Sequence, residues 1–135
     1  MSQLHELFAA AAAARPKAYA PYSRFHVGAA ILCADGAVYS GCNIENAAYP
    51  EGTCAEAGAI AHMVMGGATK IAEIAIVGGP AGAAEILCPP CGGCRQKIRE
   101  FGGLMAKVHL RDETGTVRSF ALQDLLPVSF GPESL

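Results

Sequence analysis

The stretch HVGAAILCADGAVYSGCNI, residues 26–44, sets the architecture of the chain. Its first part, 26–34, is apolar at nearly every position and short, which reads as a buried strand. Asp35-Gly36 is a hairpin turn signal, and AVYSGCNI (37–44) is the return strand. Outward from this hairpin, CAEAGAIAHMVM (54–65) is apolar on almost every side. Such a helix is buried within the fold or at an interface, and Gly66-Gly67 stops it. On the other flank, Leu4, Leu7, Phe8 and Ala11 make an apolar helical face within 3–18, with Pro16 placed to end it early. Further on, 70–79 reads as a strand and 91–101 as a helix ended by Gly102-Gly103. Strands at 106–112 and 117–120 flank a turn containing Gly115, and 121–126 is a short helix. The order α-β-β-α-β-α-β-β-α predicts a layered α/β fold on a mixed sheet.

A length of 135 residues fits one domain, 1–135, with no linker or repeat. The chain is 52% hydrophobic and 16% charged, which excludes disorder. Net charge is −2 with Lys and Arg scattered, so no basic stripe offers a nucleic-acid footprint. No apolar run approaches the ~20 residues that span a membrane. MSQLHELF carries charges where a signal peptide needs an apolar run, so a cytoplasmic location is expected. The excess of small apolar residues points weakly to surface buried between subunits. In a reducing compartment the six cysteines (33, 42, 54, 88, 91 and 94) read as metal or catalytic groups rather than disulfides.

CGGC (91–94) offers two thiols at the start of a helix, where the N-terminus favours thiolates. Cys54, heading another helix, is placed to be a third ligand, with Glu56 beside the metal. Three protein ligands leave a zinc position open for water, as catalysis needs. Cys88 precedes two prolines that hold the chain extended, putting its Cα roughly 9 Å from that of Cys91. It is therefore a poor fourth ligand. Each piece alone has a plainer reading: Thr53 and Glu56 match a capping box, and a lone CxxC matches a redox pair. Together, Cys-x-Glu and Pro-Cys-x-x-Cys form the signature of zinc nucleobase deaminases. His5, His26, His62 and His109 are scattered without ligand spacing, and Cys33 and Cys42 look like small buried strand residues.

PYSRFHVGAAI, GCNIENAAYPEGTCAEAGAI, PPCGGCRQ, and LLP followed by Phe130 resemble the cytidine deaminases in order and spacing. The resemblance runs from about residue 19 to 130. It implies a three-layer α/β/α fold with a five-stranded mixed sheet, one Zn2+ per chain, and a homotetramer whose active sites are shared between subunits. Cys54, Cys91 and Cys94 then correspond to the zinc ligands and Glu56 to the proton shuttle. By the same resemblance Phe25 packs against the pyrimidine, Asn43 and Glu45 grip the ribose hydroxyls, and the Ala55 backbone contacts the pyrimidine carbonyl. Tyr49 lies near the sugar, and Phe130 reaches a neighbouring subunit's site. The implied reaction is zinc-dependent hydrolytic deamination of cytidine and 2′-deoxycytidine, with a small nucleoside as partner and neither nucleic acid nor membrane.

Two residues depart from the family pattern. Ala57 stands where an arginine is common beside the thiolates, and Pro89 where serine is common. The helix N-termini, Arg95 or Arg24 are the candidates to offset the thiolate charge. Rival readings are an aminonucleoside antibiotic deaminase, a nucleic-acid-editing deaminase and a structural zinc module.

Overall fold

The computed structural model describes residues 3–135. Helix α1, Gln3–Ala14, gives way to a single 3₁₀ turn at Arg15–Lys17. Pro16 lacks the N–H that another α-turn requires, so the expected helix to residue 18 ends early. The strands are β1 (Phe25–Cys33), β2 (Val38–Cys42), β3 (Ile71–Pro80), β4 (Lys107–Arg111) and β5 (Val117–Ala121). Helices α2 (Ala55–Met65) and α3 (Gly92–Gly102) flank β3 in sequence, and α4 (Leu122–Leu125) follows β5. The sheet order is β2-β1-β3-β4-β5; β3 and β4 run parallel and every other neighbouring pair antiparallel. The five-stranded mixed sheet is the expected one.

The hairpin differs from a two-residue turn. The Gly36 N–H donates to the Cys33 carbonyl and the Cys33 N–H to the Ala37 carbonyl, so Ala34, Asp35 and Gly36 form a three-residue loop. Only Gly36 takes positive φ, at 92°. This is a type I turn closed by a left-handed glycine, and Asp35 Oδ1 accepts the Ala37 N–H to stiffen it.

Strand alternation builds the layers. Ala30, Leu32, Ala75 and Val77 face α1, packing on Leu7, Phe8 and Ala11. Ala29, Ile31, Ile74, Ile76, Val108 and Leu110 face the other way, onto Ala55, Ala59, Ile60 and Met63 of α2 and Ile98 of α3. The result is three layers, α/β/α. His109 is buried on β4 and satisfied on both ring nitrogens, 2.6 Å from Glu73 Oε1 and 2.6 Å from Ser119 Oγ.

Two glycines let the helices seat directly on strand backbone. A Cβ on Gly28 would lie 2.0 Å from the Ala11 carbonyl oxygen of α1. On the opposite face, a Cβ on Gly41 would lie 2.3 Å from the Ala59 nitrogen and 2.7 Å from the Gly58 carbonyl carbon of α2. Backbone cannot rotate away as a side chain does. Gly41→Ala is therefore expected to cost about 3 kcal/mol, the upper part of the overpacking range, and to lower Tm by roughly 10 °C in calorimetry. A Tm within a degree or two of the parent would mean that α2 is free to ride outward.

Candidate active site

Two helix starts converge on one point. Cys54 is the N-cap of α2 and Cys91 the N-cap of α3, both in extended backbone and neither capping its own helix with a side-chain bond. Cys94 follows in the first turn of α3 and is fully buried. The three sulfurs lie within 4.8 Å of one another, and no fourth ligating side chain joins them among the described residues. Cys54 Sγ and Cys91 Sγ are 3.9 Å apart. Sulfurs bonded tetrahedrally to one zinc at about 2.3 Å are separated by roughly 3.8 Å, so the spacing fits that ion. A set of soft thiolates selects zinc over hard cations. Cys88 stands outside the group, as its two prolines predict.

The capping-box reading of Thr53 and Glu56 fails by one residue. The N-cap is Cys54, so Glu56 is the second helical residue rather than the third. Its side chain instead turns inward and is only 4% exposed. Burial pushes its carboxyl above the ordinary range, against the opposing pull of its own backbone N–H, the Cys94 thiol and Lys97. A carboxylate made more basic by a dry site takes up a proton readily and can hand it on, as a proton carrier requires.

The sulfurs feel the same burial. It raises the Cys54 thiol, with the Cys91 charge adding to it, and raises Cys94, with Glu56 and the other two sulfurs adding. At Cys91 burial also pushes upward, but the Cys94 backbone N–H and the Cys94 and Cys54 thiols outweigh it and leave the group below its ordinary value. Burial, with Glu56 and Cys54 nearby, lifts Cys88 to about 11, so it stays a thiol. A divalent cation inverts this logic for the three clustered sulfurs and holds them as thiolates.

Of the two arginines proposed to replace the family's usual one, Arg95 is engaged with backbone carbonyls. Arg95 donates from Nε to the Pro90 carbonyl at 2.8 Å and from a terminal nitrogen to the Leu125 carbonyl at 2.7 Å. It clamps the proline approach to Cys91 against α4. Arg24 is exposed in a loop, at φ 58°. Beside Ala57, the Cys94 N–H reaches Cys91, and the N-termini of α2 and α3, which carry positive partial charge, meet at the sulfurs.

A cavity of about 350 Å³ opens onto these groups, lined by Asn43, Glu45, Tyr49, Cys54, Ala55, Glu56, Cys88, Pro89 and Cys91, with Val27, Ile44, Gly52 and Thr53. Cys94, fully buried, is not among the lining residues. The geometry thus gathers most of the expected residues. Asn43 extends the β1–β2 pairing with its side chain: Oδ1 accepts the Val27 N–H at 2.8 Å and Nδ2 donates to the Phe25 carbonyl at 2.9 Å. One amide hydrogen and one lone pair remain for a ligand. Glu45 Oε1 accepts N–H bonds from Tyr22 and Ser23, and its Oε2 accepts the Ser23 hydroxyl. Those bonds from Ser23, ahead of the Tyr22 N–H, hold its carboxyl below the usual range. Tyr49 is 77% exposed and meets Tyr22 edge to face at 6.1 Å.

Besides Cys94, two expected residues stand apart from the cavity lining. Phe25 begins β1, and its ring and the Cys88 sulfur crowd Gly78, at 3.2 and 2.8 Å from where a Cβ would be. Phe130 is 58% exposed in the tail. That tail is held by Arg99, which donates to Ser129 Oγ at 2.6 Å and pairs with Glu133, while Gln96 donates to the Phe130 carbonyl at 3.0 Å. Arg99 and Ser23 were not legible as site residues; their roles arise only from folded contacts.

The chain matches the model of the family described as the cytidine and deoxycytidylate deaminase zinc-binding region over residues 1–110. It is similar to the cytidine deaminase of Sporosarcina psychrophila, 40% identical over 132 residues, which are 98% of this chain and 94% of that one. A crystal structure of cytidine deaminase from Burkholderia pseudomallei superposes with a TM-score of 0.86 at 44% identity, covering 96% of this chain and 100% of the other. Cytidine deaminase from Mycobacterium tuberculosis superposes with a TM-score of 0.81 at 36% identity, over 97% and 99% of the two chains.

Proposed function

This chain belongs to the cytidine and deoxycytidylate deaminase family, and on that premise we propose that it hydrolyses cytidine and 2′-deoxycytidine to uridine and 2′-deoxyuridine, releasing ammonia. The observation that carries the proposal is the convergence of three sulfurs and one buried carboxyl at the floor of a nucleoside-sized cavity. Cys54, Cys91 and Cys94 hold one zinc ion. When bound, zinc supplies Lewis acidity, the means by which water becomes a nucleophile near neutral pH.

The remaining steps belong to the chain. Glu56 takes a proton from the attacking water and delivers it to ring N3 as oxygen bonds to C4. The second proton follows the same carboxyl to the exocyclic amine, which leaves as ammonia and restores the C4 carbonyl. The Ala55 N–H, at the first helical position of α2, is directed at the pyrimidine carbonyl. Asn43 and Glu45 receive the ribose hydroxyls, and Tyr49 borders the sugar. Glu45 is an anion at the rim, which favours a nucleoside over its 5′-phosphate by charge repulsion. A site built to bond a hydroxyl rejects a free base lacking it.

We extend the proposal to the assembly. Residues 1–135 act as one catalytic domain of a cytoplasmic homotetramer, in which Phe130 completes a neighbour's site. Support comes from the exposed Val64 and Met65 on α2 and the exposed Tyr49 and Phe130. All six cysteines are free, in keeping with a reducing compartment. No helix among the described residues is long and apolar enough to cross a membrane.

Side-by-side turnover of cytidine, deoxycytidylate and blasticidin S tests the substrate. The expected result is loss of cytidine's ultraviolet absorbance with one ammonia per uridine, at least tenfold faster than for either competitor. Zinc-loaded protein that leaves cytidine intact would overturn the proposal.

A further inference from the structure

The Glu45 carboxylate is gripped by a single turn. The N–H groups of Tyr22 and Ser23 donate to Oε1 at 3.0 and 3.1 Å, and the Ser23 hydroxyl donates to Oε2. The same Ser23 oxygen accepts the Phe25 N–H at 3.0 Å. An ionised carboxylate only accepts, and a serine has one hydroxyl hydrogen, so that hydrogen is fixed on Glu45. One oxygen atom therefore couples Glu45 to the first residue of β1. A carboxylate has about four lone-pair sites. Three are filled from this turn, and Glu45 lines the cavity, which leaves one acceptor site for a ligand donor.

The backbone is arranged for this grip. Arg24, immediately after Ser23, adopts φ 58°, a left-handed conformation uncommon outside glycine. Its N–H bonds the Ala20 carbonyl at 3.0 Å, and its carbonyl accepts the Ala81 N–H at 2.7 Å. The reversed turn aims both the N–H and the hydroxyl of Ser23 at one side chain. Glu45 is held from its own backbone as well, its N–H donating to the Tyr19 carbonyl at 2.7 Å.

We infer that Ser23 is a positioning residue, whose hydroxyl fixes the Glu45 carboxylate in the orientation that accepts the 3′-hydroxyl of the nucleoside. This rests on the reading of Glu45 given under Proposed function. Ser23 itself acts through Glu45 and touches no reacting atom.

The test compares the parent enzyme, Ser23→Ala and Ser23→Thr, measuring kcat and KM for cytidine and the inhibition constant of 2′,3′-dideoxycytidine, which lacks the 3′-hydroxyl. Loss of a hydrogen bond to a charged group is expected to raise KM for cytidine by roughly tenfold in Ser23→Ala. We expect kcat and the dideoxycytidine constant to stay within twofold of the parent, and Ser23→Thr to restore KM. An unchanged KM overturns the inference. So does a rise in KM matched by the dideoxycytidine constant, since that pattern means a disordered loop rather than a misaimed carboxylate. A parent enzyme inactive on cytidine overturns the functional reading and this inference together; an active parent with the wrong variant pattern overturns the inference alone.

Discussion

Glu56→Gln is expected to lower kcat for cytidine by about 10⁴-fold, the upper end of the range for general acid–base catalysis, while zinc content stays at one per chain. The amide keeps the shape and loses the proton. It fills the same buried space beside Cys94, where a carboxyl is disfavoured as an anion, so the fold has no reason to weaken. The effect is large because one group serves twice, moving a proton to ring N3 and another to the leaving amine. Removing it leaves neither transfer assisted. Kinetics on cytidine, metal analysis and a melting curve together decide the matter. Turnover within tenfold of the parent would show that Glu56 carries no proton and that the sulfur cluster is a structural zinc module. Loss of zinc along with activity would show instead that the carboxyl holds the metal site together.

The prediction also separates what sequence could convey from what it could not. The continuous apolar run of 26–34 and the all-round apolar character of 54–65 encode the layers, because a strand covered on both faces and a helix covered all round need apolar side chains at nearly every position. The sulfur ligands were legible because a zinc ion imposes spacing on the chain: two thiols one helical turn apart, and a third heading another helix. The capping box at Thr53 was misleading. A one-residue change in where α2 starts converts Glu56 from a helix cap into a buried acid, and no local pattern in the sequence tells the two starts apart. The hairpin loop is longer than Asp35-Gly36 suggests, since the turn that fits the strand twist uses Ala34 as well. Ser23 and Arg99 were silent for a further reason. Their partners, Glu45 and Glu133, lie 22 and 34 residues away, and no local pattern records such a contact.

Stripping the metal with a chelator under reducing conditions is expected to abolish turnover and to lower Tm without unfolding the chain at room temperature. The two apolar clusters on either side of the sheet are complete without the ion, whereas the sulfurs gather at helix starts at the cavity floor. An ion present at 1,000 times its dissociation constant stabilises by about 4 kcal/mol, which for a chain of this size corresponds to roughly 15 °C. Cobalt reloading then reports the ligands directly, because thiolate-to-cobalt charge-transfer bands scale with the number of sulfurs bound. Cys88→Ser is expected to keep the full signal. Cys94→Ser is expected to lose about a third of it, along with most of the regained Tm. Cys88 lines the cavity but stands outside the group of three clustered sulfurs, so its position gives it no place among the ligands. A reduced signal in Cys88→Ser would put a fourth sulfur on the metal, close the position that water needs, and leave Glu56 with nothing to deprotonate.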